Sequence, residues 1–76
     1  MSLTAEQRQA LELLAASPRG YTKGRLLADG FTADMLVDLV REGLATAQRE
    51  TLRVGGRTIR VERYRITDAG RRAIEG

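Results

Sequence analysis

The stretch LATAQRETLRVGGRTIRVERYRIT, residues 44–67, decides how the chain is read. Before Leu44 the apolar residues recur at helical spacing. From there the period changes to alternation, with β-branched residues and arginines on both sides of Gly55-Gly56. A glycine pair allows the positive φ angles of a two-residue hairpin turn, so the stretch predicts two antiparallel strands. If the two glycines form the whole loop, Ala45 lies opposite Ile66, Ala47 opposite Tyr64, and Arg49 opposite Glu62. Near the base this register gathers Ala45, Ala47, Tyr64 and Ile66 on one apolar face and makes Arg49–Glu62 a favourable cross-strand pair. Toward the turn, Leu52, Val54, Ile59 and Val61 fall on the opposite face. Side chains alternate with a period of two, so two solutions exist. Either a bulge near Glu62 and Arg63 resets the phase, or the distal hairpin carries an exposed apolar strip suited to a second subunit or a partner protein.

Upstream of the hairpin the sequence reads as three helices. Thr4-Ala5-Glu6-Gln7 fits a capping box, and Ala10, Leu11 and Leu14, with Leu3 one turn earlier, give a first helix over about residues 4–16, ended by Ser17-Pro18-Arg19-Gly20. Thr22 caps a short second helix with Leu26 and Leu27 facing inward, and Asp29-Gly30 stops it. Thr32 caps a third, with Phe31 packing on Leu36, a buried stripe of Leu36, Leu39, Val40 and Leu44, and Gly43 as its close. The second and third helices, joined by a tight turn, read as a helix-turn-helix. Downstream, Thr67 caps a last short helix through Ala69, Ala73 and Ile74 that frays near Gly76.

Seventy-six residues with 42% hydrophobic content suit a single domain over residues 1–76, with a core supplying about 3 to 5 kcal/mol. The chain has no cysteine and no histidine, which rules out a disulfide framework, a zinc finger and thiol or imidazole chemistry. Ser2 and Ser17 have no general base beside them, and Gly55-Gly56 is not followed by the helix and lysine of a phosphate loop. The expectation is a protein that is not an enzyme, takes no cofactor or metal, and has no small-molecule substrate. No signal-peptide pattern and no run of eighteen apolar residues occurs, which points to a cytoplasmic protein without membrane contact.

The net charge of +3 is unevenly spread. Residues 1–43 hold five basic side chains against six acidic ones, whereas residues 44–76 hold eight arginines against Glu50, Glu62, Asp68 and Glu75. The positive field therefore belongs to the hairpin half. Arginine's planar fork suits phosphate, which makes a polyanion the expected partner.

Two strings carry a family resemblance. DMLVDLVREGLA (residues 34–45) resembles the end of the recognition helix and the first wing strand of MarR-like and PadR-like regulators, and YRITDAGRRAIEG (residues 64–76) resembles their second wing strand running into a threonine-capped helix. With the order of helix, helix-turn-helix, two-stranded wing and closing helix, the resemblance covers about residues 4–76. The resemblance implies an α+β winged helix: a three-helix helix-turn-helix core, a two-stranded wing and a short closing helix. It also implies binding of double-stranded DNA as a transcriptional regulator, with the third helix in the major groove and the wing on the neighbouring backbone or minor groove.

Carried onto this chain, the groove-facing residues of the third helix are Ala33, Asp34, Val37, Asp38 and Arg41, of which only Arg41 is basic. Asp34 also suits the positive end of the helix dipole, and Asp38 with Arg41 suits a solvated pair. The wing offers more: Arg49, Arg53, Arg57 and Arg60 surround the turn, Arg63 and Arg65 continue the series nearer the base, and Lys23 and Arg25 at the start of the second helix add backbone contacts. A DNA-binding chain this short is expected to act as a dimer, since one small module rarely binds tightly enough alone. The alternative is a winged-helix protein-interaction or assembly module using the acidic third helix and the strip of Leu52, Val54, Ile59 and Val61 in place of DNA contacts. Where the arginines point discriminates between the two.

Overall fold

The computed structural model describes residues 3–75; the expected fraying at Gly76 lies outside them. Four helices and a three-stranded antiparallel sheet make an α+β fold: α1 (Ala5–Ala15), β1 (Tyr21–Thr22), α2 (Lys23–Ala28), α3 (Ala33–Arg41), β2 (Ala45–Val54), β3 (Arg57–Ile66) and α4 (Asp68–Glu75).

A threonine starts every helix. The hydroxyls of Thr4, Thr22, Thr32 and Thr67 accept from the backbone N–H three residues on, at Gln7 (3.0 Å), Arg25 (3.3 Å), Met35 (3.2 Å) and Gly70 (3.0 Å). Gln7 completes the capping box by accepting from the Thr4 N–H at 3.0 Å. Each cap contributes about 1 kcal/mol. Thr67 does more, because its hydroxyl also donates to the Gly43 carbonyl at 2.6 Å, tying the start of α4 to the end of α3.

The core is built from Leu11 and Leu14 of α1, Leu26 of α2, Leu36 and Leu39 of α3, and Ala45 and Tyr64 of the sheet, with Ala10 and Met35 filling in. Phe31, Leu44 and Ile66 pack around its edge. Each fully buried leucine contributes roughly 2 kcal/mol by leaving water. Three apolar positions are not where helical spacing and alternation place them. Leu27 is 42% exposed, Val40 lies at the rim of α3, and Ala47 is exposed because the helices cover only the innermost hairpin pairs.

The sheet has the order β1-β3-β2, one strand more than the two expected. Tyr21 and Thr22 pair with Tyr64 and Arg63, which holds the loop after α1 against the hairpin base. Gly20 makes this possible. Its φ is +74°, and a Cβ there would overlap the Tyr64 carbonyl. Between β2 and β3 the pairing runs without a break from Ala45–Ile66 to Val54–Arg57, so no bulge resets the phase and the exposed strip is the solution adopted. The hairpin projects well past the core, giving a molecule 45 by 21 by 20 Å.

Replacing Gly20 by Ala should therefore cost roughly 3 kcal/mol or more, since positive-φ strain of about 1–3 kcal/mol adds to a backbone clash. The nearby Gly24→Ala, in helix α2 with open space around it, should instead stabilise by up to about 1 kcal/mol. Urea unfolding of both variants checks the contrast.

Candidate nucleic-acid interface

Unbroken pairing sorts the distal hairpin into two surfaces of different chemistry. On the side that continues from Ala45 and Tyr64 stand Arg49, Thr51 and Arg53 of β2 with Glu62, Arg60 and Thr58 of β3. On the far side stand Gln48, Glu50, Leu52 and Val54 with Arg63, Val61, Ile59 and Arg57. The arginine cluster of the sequence is thus not one patch. Arg49, Arg53 and Arg60 share the polar face, while Arg57, Arg63 and Arg65 share the face that carries the apolar strip.

The polar face meets α2. Thr22, Lys23, Gly24 and Leu27 on the helix side, and Arg49, Arg60, Val61 and Glu62 on the hairpin side, line a cleft of about 560 Å³. Three cations, Lys23, Arg49 and Arg60, therefore converge from segments remote in sequence, with Arg53 further out on the same face. Among the described residues none of these four is in an ion pair. Glu62 is the cleft's one carboxylate; it is held by the Tyr64 hydroxyl, which donates to it at 3.5 Å.

Other expected contacts are already committed within the chain. Arg63 donates to Glu50 at 2.9 Å, a diagonal pair on the far face, so the ion pair forms there and not between Arg49 and Glu62, although those two lie opposite each other. Arg25 pairs with Asp29 at 3.2 Å and sits over the Tyr21 ring at 5.2 Å. This pair is solvent-exposed and contributes little to stability, but it commits the guanidinium to Asp29, and Arg25 does not line the cleft. Arg57 stands beside the turn on the far face.

Of the α3 residues that the resemblance assigns to a groove, Ala33 is half-buried and the other four lie on the surface. Asp34, Val37, Asp38 and Arg41 are exposed, Val37 at 49%, and Asp38 forms no ion pair with Arg41. The face holds two carboxylates, one apolar side chain and one cation. Sequence reading missed Leu27 and Gly24 as cleft-lining residues and Met35 as a core residue. The first two needed the three-dimensional meeting of α2 with β3. The third follows from the helical stripe, one position before Leu36.

No helix among the described residues is long and apolar enough to cross a membrane. Comparison with family models, characterised proteins and solved structures returned no match.

Tyr64 gives the hairpin base a titration signature. Burial pushes its phenol above the ordinary 10.0, and the neighbouring Glu62 carboxylate, through its charge and its hydrogen bond, adds to the rise. The folded state thus holds the proton more tightly than the unfolded chain. Stability should be constant with respect to this group below pH 10.0 and fall as pH rises through the folded value. Thermal melts over that range should show the fall in the native chain and a shallower one in Tyr64→Phe.

Proposed function

We propose that this is a winged-helix protein that binds double-stranded DNA as a transcriptional regulator, with the polar face of its hairpin as the main contact surface. The observation that carries the reading is the convergence of Lys23, Arg49 and Arg60 on one cleft, with Arg53 beside them and, among the described residues, none of the four in an ion pair. Free cations on a projecting, narrow hairpin suit a phosphate backbone, because each contact releases a counterion from the DNA. The element order, with α3 packed against β2 and the hairpin extending beyond the core, is compatible with a winged helix.

The division of labour between the two elements follows from their charges. Phosphate contacts by the hairpin supply affinity without sequence preference. The exposed face of α3, with Asp34 and Asp38, repels phosphates at close range and supplies little of that affinity. Its carboxylates can accept from a cytosine amino group, so any base preference rests on these two residues with Arg41.

The test is a titration of random-sequence duplex over a series of salt concentrations. Four phosphate contacts give a slope of about −3.6 in log affinity against log salt. The triple variant Arg49→Ala, Arg53→Ala, Arg60→Ala should lose about three-quarters of that slope and bind far more weakly, each contact contributing about 0.9. A control of equal charge loss elsewhere, Arg65→Ala, Arg71→Ala, Arg72→Ala, should keep it. No binding at low salt, or equal losses in the two variants, refutes the reading.

A further inference from the structure

The far face of the hairpin has no layer over it. Val54 is 56% exposed and Ile59 41%, and with the half-buried Leu52 and Val61 they form a continuous strip, of which Val61 borders the α2 cleft. An uncovered two-stranded ribbon is marginal in water, and an apolar patch at its outer end favours a partner. We propose that this strip is a homodimer interface in which two copies pack far face to far face with their hairpins antiparallel.

The charges at the ends of the strip select both the occupant and the orientation. The strip consists of three rows, Glu50–Val61, Leu52–Ile59 and Val54–Arg57, so it is apolar in the middle, with Arg57 at the outer end and Glu50, in its ion pair with Arg63, at the inner end. A two-fold axis through the Leu52–Ile59 row lays the Arg57 row of each copy over the Glu50 row of the other, so that each Arg57 can donate to the Glu50 Oε2 that Arg63 does not use while the apolar rows meet. A parallel arrangement would place Arg57 against Arg57. Duplex DNA is a poorer occupant, since its phosphates would meet four apolar side chains and Glu50, which already pairs with Arg63 and leaves Arg57 as the one cation of the three rows. Glu50 is already fixed at its end of the strip by Arg63, which donates to it at 2.9 Å.

The three rows span about 14 Å of strand, well short of the ~800 Å² per partner of a standard interface. The dimer is therefore weak and forms reversibly with concentration. Its geometry has a consequence that rests on the DNA reading above. With the far faces in contact, the two polar faces carrying Arg49, Arg53 and Arg60 look outward on opposite sides. Such a dimer joins two duplexes and does not read two half-sites of one.

Sedimentation equilibrium of the full chain over rising concentration, without DNA, tests the interface apart from DNA binding. The native protein should pass from monomer to dimer, and Ile59→Lys should weaken association at least tenfold. Arg57→Glu alone and Glu50→Arg alone should each stay monomeric, since each places like charges together. An equimolar mixture of the two should associate as a heterodimer, because every end-to-end contact is then between opposite charges; this recovery also shows that both variants fold. A native chain that stays monomeric throughout, an Ile59→Lys variant that associates as well as the native chain, or a mixture that fails to recover overturns the proposal.

Discussion

Gly55 and Gly56 close the hairpin with both residues at positive φ, +57° and +80°, and leave Val54 and Arg57 as the last paired residues. That two-residue closure is the constraint on which the rest depends. It fixes the register for ten consecutive pairs, and with a side-chain period of two it assigns every residue from 45 to 66 to one face or the other. A one-residue slip would expose Ala45 and Tyr64 and turn the apolar strip toward the helices. Burial of Ala45 and Tyr64 in the core holds the inner end to the same register, so the two ends of the hairpin agree.

The functional division follows from that assignment. One face runs from the core into a cleft where unpaired cations converge; the other, sharing no covering element, alternates apolar side chains with a fixed ion pair. The distinction could not come from charge counting, because six arginines in the stretch from Arg49 to Arg65 look like a single basic patch until the register separates them. It also relieves an apparent conflict. Apolar and cationic residues interleaved along one strand need not serve one partner, since neighbours in sequence look in opposite directions.

Much of this was legible in the sequence, and the failures have specific causes. The four threonine caps were readable because each threonine precedes an apolar periodic segment, and the glycine pair gave the full register. The sequence could not choose between a bulge and an exposed strip, since both satisfy the alternation and only the folded pairing decides. β1 was missed because two residues carry no periodicity; Tyr21 and Thr22 become a strand only through β3. Leu27 and Val40 were misplaced because each lies next to a buried leucine at the edge of its helical stripe, where small rotations of the helix decide exposure. The Arg49–Glu62 pair was expected from direct opposition, whereas the ion pair that forms is the diagonal Glu50–Arg63 on the other face. The cleft itself depends on where α2 meets β3, which no local pattern encodes.

Because the chain contains no cysteine, single cysteines report on each face without background. The most direct measurement is the alkylation rate of Thr51→Cys and Thr58→Cys on the polar face, against Val54→Cys and Ile59→Cys on the far face, with and without a duplex long enough for only one protein copy. The account predicts that the duplex slows reaction at positions 51 and 58 severalfold and leaves positions 54 and 59 unchanged. Equal protection on both faces, or protection confined to positions 54 and 59, would contradict it.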